Sequence, residues 1–225
     1  MSTKGRFGTV VAAGTIVRKD ALKKNRMIFS RATISKDMPF HPGLYTNTKR
    51  IIAQNTLYIA NLIALRRWYL DVRKNFMKED FMEQALHHGA LETLELAIEE
   101  RLKRLGEVAN KMPHSIEVYK KISGGRLPDK TIHAEKEFYD RWQEMEKIFR
   151  NGLDQPGDIS QRDAFLKILE KACKQRENDY LSTVKGLKKR ESDVGTSWLQ
   201  GIVDGIYQQI ASAVPGLGIN YIEKT

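Results

Sequence analysis

The 225-residue sequence is poor in cysteine, in proline and in long apolar runs, and each shortage narrows what the chain can be. Cys173 stands alone, which excludes an internal disulfide and with it a disulfide-stapled secreted domain. The most apolar window, Leu57–Leu65, falls far short of the roughly 20 residues of a spanning helix. Asn61 also interrupts it, so it reads as a buried helix, and no membrane partner is expected. Lys4 and Arg6 are followed by a segment containing Gly and Thr instead of the apolar core of a signal peptide. With the lone thiol, this places the expected location in the cytoplasm. Catalytic motifs are missing too: there is no glycine-rich phosphate loop, no dinucleotide fingerprint and no paired CxxC. Nothing in the chain gives positive ground for catalysis on its own.

What is present begins with charge. Charged residues make up 29% of the chain and the mean hydropathy is −0.49, values of a water-facing globular protein. The formal net charge of +10 is unevenly spread. Residues 1–36 hold nine basic groups against Asp20 alone, a net +8, and the remainder is nearly balanced at +2. A domain that gripped a phosphate backbone with its helices would show the reverse distribution. Nucleic-acid binding by a basic arm therefore ranks last among the readings.

The chain divides into unlike regions. Residues 1–36 are rich in β-branched and small residues and read as a basic β stub. Pro39, Pro42 and Gly43 mark a linker over 37–45, and 46–225 read as a helical domain. Five helices are expected there. The first runs from about Thr46 to Phe76 and, being apolar almost all round near Leu57–Leu65, is expected at the centre of the bundle. The second, from about Asp80 to Met112, repeats Leu91, Ile98, Leu105 and Met112 seven apart, a seam that wants a partner helix in the chain or in another copy. Pro113 is expected to end it. A third, about Thr131–Arg150, carries Phe138, Trp142, Met145 and Phe149. A fourth starts near a Ser160 cap and continues through Tyr180 to Leu187, and a fifth, about Ser197–Val214, carries Leu199, Ile202, Ile206 and Ile210. The expected fold is mainly α: a multi-helix bundle preceded by a short β stub.

Isolated polar residues carry less. His87 and His88, each four residues from a carboxylate (Glu83 and Glu92), have the types of a metal site. Neighbouring histidines diverge on a helix, however, so no metal ligands are assigned. His41 reads as a turn residue and Cys173 as a structural thiol on an apolar stripe. RLKR at 101–104 and KGLKKR at 185–190 read as solvated faces, and Trp68, Trp142 and Trp198 as packing residues.

The stub has a spacing of its own. Val10 and Ile16 are six apart, as are Val11 and Val17, with Ala12, Ala13 and Gly14 between them. Hexapeptide repeats of a parallel β-helix are built this way, with aliphatic residues pointing into a prism and small residues at its corners. The stretch GTVVAAGTIVRKDALKKNRMIFSRATI resembles the last coil of the left-handed β-helix in the bacterial bifunctional family that makes UDP-N-acetylglucosamine, combining glucosamine-1-phosphate acetyltransferase and N-acetylglucosamine-1-phosphate uridyltransferase activities. Val11, Ala12, Ala13, Gly14, Thr15, Ile16 and Val17 carry the match, followed by Ser30 and Arg31. The resemblance covers about the first seventh of the chain. It implies that Ala13 offers backbone to acetyl-CoA and that Arg31 neutralises a phosphate of that cofactor, a nucleotide sugar being the other ligand of such a protein. It also implies a homo-oligomer, since the family stacks its β-helix as a trimer. The uridyltransferase half, the earlier coils and the acetyl-transfer histidine have no counterpart in this sequence. The helical region is similar to the extension of longer bacterial pyrophosphorylase-like proteins. A single coil cannot bury its own inner face, so the chain is expected to be the C-terminal part of such a sugar-nucleotide protein. A helical scaffold or oligomerisation module without activity is the alternative.

Overall fold

The computed structural model describes residues 7–17, 20–31, 34–77, 80–124, 129–176 and 179–219. The fold is mainly α, as the periodicities require. Three strands, β1 (Val10–Val11), β2 (Arg26–Arg31) and β3 (Ile34–Pro39), precede six helices: α1 (Thr48–Asp71), α2 (Phe81–Ser123), α3 (Asp129–Gly152), α4 (Ile159–Lys174), α5 (Tyr180–Lys185) and α6 (Lys189–Ala213). Among the described residues no helix is long and apolar enough to cross a membrane. The chain forms two compact units, one of Met1–Tyr45 with His114–Arg126 and one of Thr46–Pro113 with Leu127–Thr225.

The first unit holds a three-stranded sheet in the order β1-β2-β3. β1 and β2 run parallel with Val10 opposite Met27 and Val11 opposite Ile28, while β2 and β3 form an antiparallel hairpin from Arg31–Ile34 out to Arg26–Pro39. Strand structure thus continues to Pro39, into the residues expected as linker. Proline is tolerated at that strand end because the ladder asks no further donor of it. Beyond β3 the Leu44 amide donates to the His41 carbonyl at 3.1 Å, closing a turn with Pro42 and Gly43 inside it. Gly43 has a φ of +83°, a left-handed conformation that a side chain at this position would oppose.

In the second unit α1 holds the expected central place together with α6: it packs on α6 and α3, and its Trp68 reaches Phe165 of α4 and Tyr180 of α5. On α1 Thr48, Ile52, Thr56, Ile59, Ala60, Ile63 and Ala64 are buried, whereas Tyr58, Asn61 and Leu65 are exposed. α6 packs on α1, α3 and α4 and buries Trp198, Ile202, Val203, Ile206, Tyr207 and Ile210. α3 contributes its expected stripe, with Phe138, Met145 and Phe149 fully buried.

Four expected helix limits shift. α4 is capped two residues early, by the Asp158 carboxylate accepting from the Gln161 amide at 3.0 Å. The expected fourth helix is two. α5 starts afresh at Asp179, whose carboxylate accepts from the Ser182 amide at 2.7 Å. α6 begins at Lys189, with Glu191 accepting from the Lys188 amide at 2.8 Å. Pro113 does not end α2, which runs on to Ser123. The residues after it have their own anchors in the first unit, where buried Ser115 accepts from the Tyr45 amide at 3.0 Å. The proline ring still removes a donor from the helix interior, so Pro113→Ala is expected to stabilise the protein by about 1–2 kcal/mol, read as a higher midpoint in urea unfolding.

The seam on α2 finds its partners inside the chain. Ile98, Leu102, Leu105 and Met112 are buried, while Leu91 and Leu94 are half-buried. Trp142 of α3 lies against Gly106, where a Cβ would come within 2.9 Å of the indole nitrogen. Arg150 at the end of α3 donates to both oxygens of Glu99 at 2.6 and 3.1 Å. Those bonds, with a second carboxylate from Glu146, push the guanidinium further above its already high pKa.

Candidate functional site

Two places in the chain carry the residues that sequence reasoning singled out. The first is the end of the sheet in the first unit. After β1 the chain turns at Ala13 and Gly14, with the Thr15 amide donating to the Ala12 carbonyl at 3.1 Å and the Ala12 amide donating to Ile28 at 3.0 Å. Because β1 and β2 are parallel, this turn leaves the sheet at the end where β2 reaches Arg31. The structure therefore brings the two resembled residues to one end of one sheet. Ala13 is exposed and Gly14 has a φ of +74°, with no atom within 4 Å of where a Cβ would stand. An open turn of small residues lets a ligand approach backbone amides closely. The Arg31 side chain lies outside the described residues.

The second place is a cleft in the helical unit. Tyr69, Arg73 and Phe76 come from the end of α1 and the short 3-10 turn Arg73–Phe76 that follows it. Glu83 and His87 come from the first turns of α2, and Asp179 and Tyr180 from the start of α5; the cavity is about 450 Å³. Several of its side chains contact one another or the backbone. The Nε2 atom of His87 lies 3.0 Å from the Tyr69 carbonyl. Arg73 stacks on the Tyr180 ring at 3.9 Å, and the Phe76 ring meets the same tyrosine edge-on at 5.3 Å. Trp68 donates its indole N–H to the Tyr180 hydroxyl at 3.2 Å. Among the described residues no serine, threonine or cysteine lines this cavity.

His87 and His88 point apart. While His87 turns to the Tyr69 backbone, His88 reaches the Glu92 carboxylate at 3.2 Å on an exposed face. Among the described residues no group of three or more His, Cys, Asp or Glu side chains is placed to hold a metal ion. Cys173 is half-buried and lines a separate groove with Phe76, Leu166 and Leu169. Arg101, Lys103 and Arg104 of the RLKR run are exposed, Arg104 pairing with Glu100 at 2.7 Å and Glu107 at 3.3 Å, while Leu102 of the same run is buried in the core.

Sequence reasoning missed Tyr69, Arg73 and Tyr180. Their meeting joins residues more than a hundred positions apart, and no local spacing signals it. The start of α5 at Asp179 was legible as an Asp–x–x–Ser cap and would have put Tyr180 at a helix end. In comparisons with known proteins, the chain matches no family model, no curated protein and no solved structure.

Proposed function

We propose that the first unit is the closing coil of a hexapeptide β-helix in a sugar-nucleotide protein of the UDP-N-acetylglucosamine pyrophosphorylase and acetyltransferase kind, and that the helical unit serves assembly. The observation that carries this reading is the parallel return of the chain. Val10 pairs with Met27 and Val11 with Ile28, an offset of seventeen residues. A three-sided coil of hexapeptides comes back on itself after about eighteen. Two further features support it. Phe7, Val11, Ile16 and Leu22 are all exposed, as the apolar positions of a coil are until a neighbouring coil covers them. On its other side β2 is closed by β3 in an antiparallel hairpin, a pairing that ends a parallel stack.

On this reading the ligand lies at the Ala13–Gly14 turn. Acetyl-CoA, when bound, supplies an activated acetyl group. Ala13 offers it backbone, and Arg31 balances a phosphate charge with a guanidinium whose geometry suits a phosphate. A helical scaffold without activity is the second reading, supported by the long α2 and its packing on α3.

The test starts from the protein as its source cells hold it, captured by an antibody to the helical unit. Mass spectrometry is expected to find hexapeptide β-helix sequence in the same polypeptide or in a chain bound to it, together with sugar-nucleotide synthesis. A preparation with neither overturns the proposal. In that complex Arg31→Ala is expected to weaken acetyl-CoA binding about ten- to a hundredfold, the worth of one charged hydrogen bond. Unchanged affinity by calorimetry removes Arg31 from the site.

A further inference from the structure

Two arginines near the end of α1 find carboxylates close by, Arg66 at Glu95 (2.8 Å) and Arg67 at Asp71 (2.6 Å). Arg73, in the 3-10 turn that follows, does not. Its guanidinium lies over the Tyr180 ring, 3.9 Å from the centroid. Among the described residues that guanidinium forms no hydrogen bond and no ion pair. Yet Arg73 is half-buried and lines the cleft of about 450 Å³ in the helical unit. The five N–H donors of an arginine are therefore held at the wall of a cavity without an acceptor from the described protein.

The support beneath them is itself fixed. The Tyr180 hydroxyl accepts from the Trp68 indole at 3.2 Å, and the Phe76 ring meets Tyr180 edge-on at 5.3 Å. A guanidinium already oriented by stacking gives up little further freedom when it grips a carboxylate through two parallel hydrogen bonds. We infer that this cleft binds a free α-amino acid with a large apolar side chain, and that Arg73 takes its carboxylate.

The rest of the lining selects that class over a simple anion. Glu83 and Asp179 border the same cavity. A ligand with only negative charge would meet them as like charges, whereas a zwitterion brings them an ammonium group. The Asp179 carboxylate accepts from the Ser182 amide at 2.7 Å. A carboxylate offers about four lone-pair positions, so capping α5 leaves it capacity for an ammonium donor. Tyr69, Met77, Leu86 and Ala90 supply the apolar wall for the side chain. The size agrees, since clefts that hold small molecules run from about 300 to 1,000 Å³. All of these residues belong to the helical unit, and the site does not depend on the β-helix reading.

The test uses the full chain with L-phenylalanine, L-leucine and L-methionine as probes. At about 10 mM at least one of them is expected to raise the thermal midpoint by roughly 3 °C, the linkage that follows from a Kd near 1 mM. Glycine has both charged ends and no side chain, and an equal shift with glycine overturns the apolar part of the site. Calorimetry then separates the two charged ends without any variant. Against L-phenylalanine, 3-phenylpropionate lacks the ammonium and phenethylamine lacks the carboxylate, and each is expected to bind about tenfold more weakly or worse. Binding of either analogue as tight as that of L-phenylalanine overturns the amino-acid assignment. Arg73→Met, shown to be folded by circular dichroism, is expected to weaken the best probe by about ten- to a hundredfold. No shift with any of the three probes, or a folded Arg73→Met variant that binds as wild type does, overturns the site itself.

Discussion

Trp198→Ala is expected to cost about 3–5 kcal/mol of stability, a large part of what a unit of this size possesses. The indole is fully buried on α6, its ring lies 6.4 Å from that of Phe165, and its N–H donates to the Pro156 carbonyl at 2.8 Å. Truncation acts through two separate losses. One is the apolar area and the cavity left between α6 and α4, which the surrounding helices refill only in part. The other is the Pro156 carbonyl, which loses its indole donor. Urea unfolding followed by circular dichroism should show a much lower midpoint with little change in slope. Trp198→Phe separates the two losses in large part, since it keeps most of the volume while removing the donor. That variant is expected to lose about 1–2 kcal/mol. A Trp198→Ala midpoint close to wild type would mean that α6 is not the centre of the bundle.

Gly195→Leu is expected to do comparable damage by the opposite route. A Cβ at Gly195 would lie 2.5 Å from the ring of Phe165, a distance that forces α6 and α4 apart or drives the phenyl group from its rotamer. The expected cost is about 3 kcal/mol or more, read as a thermal midpoint lowered by several degrees. Phe165→Ala alone empties the space and costs about 3–5 kcal/mol. Combined with Gly195→Leu, the new side chain partly fills that space, so the double variant is expected to be more stable than the sum of the two losses predicts. Simple additivity would show that Gly195 and Phe165 do not share a contact.

These two residues also mark how far the sequence could be read. Phe165, Phe138, Met145 and Phe149 stand out as regularly spaced apolar residues, and periodicity alone puts them in the core. Trp198 is legible as a packing residue, although the centre of the α6 stripe falls on it and not on the neighbouring Leu199, which is half-buried. A period of 3.6 residues does not distinguish a stripe from one displaced by a single position. Gly195 has no such signature, because its role is set by a ring thirty residues away. Helix ends were read less well where a nearer cap competed, as Asp158 did with Ser160. Pro113 was misread because the packing that carries α2 past it involves Ser115 and Tyr45, a pairing of distant residues.

At the candidate sites the same division holds. The turn at Ala13–Gly14 was visible as a run of small residues, and the sheet puts it at the end of β2 where Arg31 stands. The antiparallel strand β3 carries no distinguishing mark in the sequence, since hairpins and coils use the same β-branched residues. Arg73 and Tyr180 belong to a cleft assembled only by tertiary packing.

The central place of α6 sets a schedule for making the protein. It is the last of the described helices to leave the ribosome, yet the inward faces of α1, α3 and α4 all rest on it. At about 5–20 residues per second, roughly ten to thirty seconds pass between the emergence of the start of α1 and that of the end of α6. Ile52 and Ile59 wait longest for their covering, Phe149 and Phe165 only briefly, so the apolar face of α1 stays open to water until α6 arrives.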